Sequence, residues 1–200
     1  MVDIDLEFPH SYEIEEIPEL PGTGEFNVPV HYFPRSISRP EHDGIWLCIR
    51  PMTGQSWIGV FDFGYRSPPA ISRVVSTPND DCVCIISRGA AYIVNAEEPN
   101  QWELLDIRPV LDLRLIPEYQ LLVFADFTRL IAYGNHQIVW KSPRLCWDYL
   151  KILNVSREEI IGVGYDPTNS ESESRFAVDI RTGKSLCPAP VSIDGKSVWR

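Results

Sequence analysis

The stretch "VLDLRLIPEYQLLVFADFTRLIAYG", residues 110–134, decides the fold. Leu111, Leu113 and Leu115 alternate with Asp112 and Arg114, the period of two that sends successive side chains to opposite faces of a strand. Pro117-Glu118-Tyr119-Gln120 breaks the alternation, and Leu121 to Ala125 form a short apolar run of the kind found in strands buried on both faces. Asp126 to Arg129 then supply a polar link to a third apolar segment, Leu130 to Tyr133.

The same order of elements recurs on either side. "ISRVVSTPNDDCVCIISRGAAYIVN", residues 71–95, and "DYLKILNVSREEIIGVGYDPTNSESESRFAVDI", residues 148–180, each read as alternating strand, polar turn, apolar strand, link and third strand. With Val83, Leu122 and Ile160 as markers, the spacings are 39 and 38 residues. Upstream, "GIWLCIRPMTGQSWIGVFDFG", residues 44–64, supplies two more such strands, with Trp46 about one period before Val83. Each third strand turns back into a fourth, in "YIVNAEEPNQWELLDI", "LIAYGNHQIVWKS" and "FAVDIRTGKSLCPA". Four strands in roughly 40 residues, repeated, is the signature of sheets that bury their faces only by stacking on neighbours.

At these residues the chain resembles β-propeller repeat proteins, in particular those with quinoprotein-type blades. Ala177, Val178, Asp179, Thr182, Gly183, Lys184 and Leu186 fit the pattern of apolar-Ala-apolar-Asp, two residues, Thr-Gly-Lys and an apolar strand. Ile138, Val139 and Trp140 fit the strand that follows it in the preceding unit. The resemblance spans about residues 45–190 and implies an all-β fold of repeated four-stranded antiparallel sheets, a small or incomplete propeller, with no implication for ligands. The units fall at 45–70, 71–109, 110–147 and 148–187, making residues 45–200 one domain that ends in a hairpin over 188–200 around Asp194-Gly195. The first unit lacks a strand, which either the N-terminal arm or the last residues could supply. A four-bladed ring, an open stack of three sheets and a dimer of half rings all fit the count. A local competitor is the Ser-x-x-Glu spacing of Ser156 and Glu159, a helix capping box; the β-branched and glycine-bearing run from Ile160 to Gly164 favours strand.

Residues 1–44 form an acidic, proline-rich arm. They hold ten acidic residues against Arg35 and Arg39, and most of the chain's net charge of −10. "VDIDLEF", residues 2–8, alternates like a half-buried strand with an acidic row toward water, and the prolines that follow predict an extended segment wrapped over the body. The charge excludes a nucleic-acid backbone as partner, which needs concentrated Lys and Arg. No stretch approaches a membrane span of about 18 apolar residues, and the acidic start is unlike a secretory signal, so a soluble cytoplasmic protein is expected. Cys48, Cys82, Cys84, Cys146 and Cys187 are sparse and sit in or beside apolar runs, as reduced, buried thiols do.

Candidate chemistry fails on spacing. Thr182-Gly183-Lys184-Ser185 resembles the end of a phosphate-binding loop, but Val178 stands where its first glycine belongs, and Leu-Cys-Pro-Ala-Pro follows where a helix must begin. The segment therefore reads as a hairpin, with Phe176, Val178 and Ile180 on one face and Gly183 in a tight turn with positive φ. Gly22-Thr23-Gly24 reads as a turn in the arm. Cys82 and Cys84 lack partners for a four-ligand metal site, and His42-Asp43 reads as a solvated turn. His10, His31 and His136 are scattered, and no nucleophile elbow exists. No catalytic residue, cofactor or metal is nominated. At least four of the six tryptophans are expected in the core.

Two functional classes are left. The first is a noncatalytic protein-binding module, in its concrete form a small cytoplasmic immunity or inhibitor protein that occludes a basic partner, with Asp3, Asp5, Glu7, Glu13, Glu15 and Glu16 as partner-binding residues. The second is an enzyme or small-ligand-binding protein that uses the centre of a propeller-like ring. A homodimer is compatible with both.

Overall fold

The computed structural model describes residues 2–18, 26–34, 43–65, 70–107, 109–168 and 173–187. It is all-β: sixteen strands and one 3-10 turn, with no α-helix among the described residues. The chain divides into two compact units, Met1–Arg108 and Pro109–Arg200, each built from two sheets.

The first unit holds β1 (Asp3–Asp5), β2 (Tyr12–Glu16), β3 (Val30–Phe33), β4 (Gly44–Pro51), β5 (Trp57–Asp62), β6 (Arg73–Ser76), β7 (Cys82–Ser87), β8 (Ala90–Asn95) and β9 (Trp102–Leu104). Its first sheet runs β2-β4-β5-β3 and its second β1-β6-β7-β8-β9. The arm thus supplies the strands that the first unit lacked. β2 pairs antiparallel with β4, while β3 pairs in parallel with β5 and β1 in parallel with β6. Expectation and structure differ here: the proline-rich segment is not only a wrap but contributes strands. The reason is where the prolines fall. Pro9, Pro18, Pro29 and Pro34 flank β2 and β3 rather than interrupt them, and both strands take edge positions, where a missing N–H is tolerated. The second sheet gains a fifth strand in the same way.

The second unit holds β10 (Asp112–Ile116), β11 (Leu121–Ala125), β12 (Leu130–Tyr133), β13 (Ile138–Lys141), β14 (Asp148–Val155), β15 (Glu159–Tyr165) and β16 (Glu173–Asp179). β10 to β13 form the antiparallel third sheet and β14 to β16 the fourth. The 3-10 turn Pro117–Tyr119 joins β10 to β11, as the break at Pro117 implies. Among the described residues, the expected fourth strand of the last sheet takes the form of a bridge between Val178 and Ser185 and a bond from Leu186 N to Ala177 O (2.8 Å). The expected hairpin over 188–200 and the Gly22-Thr23-Gly24 turn lie outside the described residues.

The three markers occupy one structural position. Val83, Leu122 and Ile160 are each the second residue of a middle strand, fully buried, and paired on both sides: Ser76 and Val94, Leu115 and Tyr133, Val155 and Val178. Trp46 is out of phase with them. On β4 it is Ile45, Leu47 and Ile49 that enter the core, and the period of two puts Trp46 on the opposite face, half-buried.

One core lies between the sheets of each unit. In the first, Leu47, Trp57 and Phe61 pack against Val83, Ile85 and Tyr92; in the second, Leu121, Val123 and Trp140 pack against Ile160, Phe176 and Val178. Of the five tryptophans among the described residues, Trp57 and Trp140 are buried and Trp46, Trp102 and Trp147 are half-buried, fewer in the core than the four expected; Trp199 lies outside the described residues. Those two do the same job in both units. Trp57 donates its indole N–H to Ala96 O (2.7 Å) and Trp140 donates to Ile180 O (3.1 Å), each acceptor being the first residue after the third strand of the neighbouring sheet's meander. Ala96 and Ile180 are further matched through their own amides, which donate to Asp81 O and Glu158 O, each the residue before the middle strand.

Polar turns close on themselves by a common device. The Oδ1 atoms of Asn95, Asp126 and Asp179 each accept two amide N–H groups from the residues two and three further on, which ends the strand and starts the turn. Ser156 acts likewise: its Oγ accepts from the amides of Glu158 and Glu159. The helix-capping signature is therefore used to tighten the hairpin between β14 and β15.

Candidate interaction surface

"FAVDIRTGKSL" settles as a turn. Phe176, Val178 and Ile180 are all buried, with Ile180 just past the end of β16, and Gly183 has φ +69°. The amides that a phosphate would need are already engaged, Gly183 N donating to Asp179 O and Asp179 N to Lys184 O, both at 2.9 Å. A side chain at Gly183 would sit 2.5 Å from the Trp140 ring. The glycine is required by packing as well as by φ.

The charge is sorted more sharply than its arm alone suggests. Residues 1–108 carry 17 carboxylates against 7 arginines and no lysine, whereas residues 109–200 carry 11 acidic and 11 basic side chains. All of the net −10 therefore belongs to the first unit.

The six arm carboxylates have different surroundings. Asp3 and Asp5, one on each side of Ile4 in β1, both bind Arg73 of β6, at 2.9 and 2.8 Å. The parallel register that sets Asp3 beside Arg73 makes this a fastening for β1. Glu16 Oε2 accepts the amide of Val2 at 2.7 Å, tying β2 to the start of the chain. Glu15 pairs with Arg50 at 2.5 Å, and that hydrogen bond holds its carboxyl below the ordinary carboxylate value. Glu7 and Glu13 are exposed.

Sequence reasoning missed a second acidic group, because its members come from separate turns. Ser11, just before β2, donates its hydroxyl to Asp81 Oδ1 (2.9 Å) and its amide to Asp80 O (2.9 Å), and its own carbonyl accepts from Met52 N (2.7 Å). Thr53 donates to Glu97. One end of the unit thus gathers exposed Asp80, Asp81, Glu97 and Glu98 around the β2, β4 and β6 termini. Asp81, Glu103 and Asp80 also reach the Cys82 thiol, which burial first and these charges second push up to about 11.

Burial makes Cys84 and Cys146 poor nucleophiles at neutral pH. Cys84 and Cys146 are buried, and burial raises both, Cys146 to about 12; Cys48, Cys82 and Cys187 are half-buried, and none of the five forms a disulfide. No group of three His, Cys, Asp or Glu residues among the described residues is placed to hold a metal ion. His10 contacts Phe8 O at 3.0 Å, His31 meets the Trp57 ring edge-on, and His42 lies outside the described residues. A cleft of about 510 Å³ lies on the fourth sheet, with Tyr149, Lys151, Val163 and Tyr165 in its wall, and one of about 440 Å³ in the first unit is lined in part by Glu16, Trp46, Phe63 and Arg88.

No protein-family model matches the chain, and no curated protein matches it. Among solved structures, it is similar to a chain of the S. cerevisiae complex of Dbp5 bound to Nup159, Gle1, IP6 and ADP, at 10% identity and a TM-score of 0.28, covering 99% of this chain and 74% of that one. A likeness that distant carries no argument about fold or function.

Proposed function

We propose that the protein is a noncatalytic binding module for a basic polypeptide, built from four blade-type sheets of a small, incomplete propeller, and that it acts in the cytoplasm as an immunity or inhibitor protein by covering its partner's working surface. The observation that carries the reading is the charge asymmetry: an entire net −10 on one unit beside a neutral one built on the same plan. A one-signed surface raises the encounter rate with a partner of opposite sign and disfavours partners of like sign. The 38 and 39-residue spacings and the paired tryptophan-to-carbonyl contacts support the blade reading.

Within the first unit, the carboxylates assigned to the partner are Glu7 and Glu13 of the arm with Asp80, Asp81, Glu97 and Glu98 of the turns, all exposed. Asp3, Asp5 and Glu16 serve chiefly to hold the arm in place. The test is affinity capture from the protein's own cell lysate at low and high salt. The reading expects one basic polypeptide, released by salt and lost when these six carboxylates are changed to Asn or Gln. Capture that survives both treatments would refute it.

A further inference from the structure

We infer that the outer face of the fourth sheet is a dimer contact, and that its occupant is the same face of a second copy of this chain. The inference stands apart from the binding reading, because it uses the second unit alone. Within that unit the two sheets differ. β11 and β12 of the third sheet are buried on both faces, whereas each strand of the fourth buries one face only. Leu150, Ile152, Ile160, Phe176 and Val178 enter the core. On the opposite face no side chain is buried, from Lys151 and Asn154 of β14 across Ile161 and Val163 of β15 to Arg175 and Ala177 of β16. Tyr149, Leu153 and Tyr165 of the same strands are 56%, 54% and 46% exposed, an uncommon density of large apolar side chains in water.

Cross-strand register orders this face into rows. Lys151, Val163 and Arg175 make a cationic row, and Asp148, Tyr165 and Glu173 make an acidic row beside it, with all four charged side chains exposed. Each row has an apolar centre on β15 between one charge on β14 and one on β16. Tyr149 sits in the bulge between Asp148 and Lys151, and it lines the cleft of about 510 Å³ together with residues of both rows. Such a face complements itself. A twofold axis laid across the strands, midway between the two rows, reverses the row order in the second copy and sets each strand on its own counterpart. Lys151 then faces Asp148, Arg175 faces Glu173 and Val163 faces Tyr165, each contact being made twice. Tyr149 lies at the level of the axis and fills the cleft of the other copy. Other placements fail on charge. An axis along β15 sets Lys151 on Arg175 and Asp148 on Glu173, and an axis one row nearer Ile161 sets Glu173 on Asp179, like on like in every case. The contact is isologous, so one partner uses it up and assembly stops at two. A face of three strands is at the small end of specific interfaces, and a micromolar dissociation constant is expected.

The purified full chain, with no partner added, is measured by sedimentation equilibrium through the micromolar range. Its mass is expected to approach twice the 22.8 kDa of one chain as concentration rises. K151E sets a carboxylate against Asp148 in both halves of the contact, and D148K sets an ammonium group against Lys151 in both, so each variant alone raises the dissociation constant at least tenfold. Mixed in equal amounts, the two variants dimerise at the wild-type concentration, because every contact between them then joins opposite charges. Asp148 also accepts the amide of Tyr149 at 2.8 Å, so R175E and E173K serve as a second pair that leaves this bond in place; circular dichroism confirms folding, and the same loss and recovery are expected. A wild-type chain that stays monomeric, assemblies larger than two, single variants that dimerise like the wild type, or folded variants that fail to recover on mixing would each overturn the proposal. Monomer is also the result if another part of the same chain covers this face. None of these outcomes bears on the binding reading, which partner capture decides.

Discussion

The two units of this chain apply one construction to different ends. Each stacks two sheets over an apolar core and pins a tryptophan of one sheet to the turn of the other. The second unit does this with consecutive hairpins, whereas the first imports three strands from an acidic arm and keeps all of the net charge. What differs between them is therefore not the packing rule but its completeness and its surface. A unit closed by distant strands is vulnerable at the arm, and a unit closed by local turns is vulnerable at its glycines.

The largest effect is expected where the arm enters the first core. Tyr12 is 1% exposed and donates its hydroxyl to Cys82 O at 3.0 Å, so Tyr12→Ala is expected to cost about 3–5 kcal/mol in urea denaturation, with the loss confined to the first unit. Hydrogen exchange that slackens equally in both units would break the comparison. Next in size, Gly183→Ala forces a side chain into left-handed backbone and against the Trp140 ring, and is expected to cost about 1–3 kcal/mol in the second unit. Trp57→Phe and Trp140→Phe sharpen the parallel: each removes an indole donor from one buried carbonyl bond, and the two are expected to fall by a similar ~1–2 kcal/mol.

How much of this was readable beforehand follows from the range of each interaction. The hairpins from β6 to β16 were legible because their alternation, turn residues and repeat spacing all lie within about 40 residues. Gly183 was legible because its turn is local. β2 and β3 were not, since the pairings that define them join Glu13 to Arg50 and His31 to Gly59, and a parallel pair leaves no hairpin signature. Trp46 was misplaced by a single residue of phase, enough on a strand to exchange core for surface. The acidic arm was recognised as acidic, but that Arg73, nearly seventy residues away, takes up Asp3 and Asp5 depends on the parallel register.

The smallest expected effect is electrostatic. Glu15 sits below its ordinary carboxylate value because of Arg50, so its contribution to stability is present above that ordinary value and disappears as pH falls through the lowered one. The pair is exposed, and screening keeps the effect small. Arg50→Gln is expected to flatten the acid limb of the thermal midpoint below about pH 4 without altering the midpoint at pH 7 by more than a degree or two.

The asymmetry itself is most directly tested by exchanging charge in one unit at a time. Changing Glu7, Glu13, Asp80 and Asp81 to their amides, and in a separate protein changing the exposed Glu118, Asp148, Glu158 and Glu173 of the second unit, gives two variants of equal net charge. Measured by titration calorimetry against the captured basic partner, the first is expected to lose at least tenfold in affinity and the second to stay within twofold of the wild type. Equal losses in the two variants would contradict the account, because total charge and not its placement on the first unit would then govern binding.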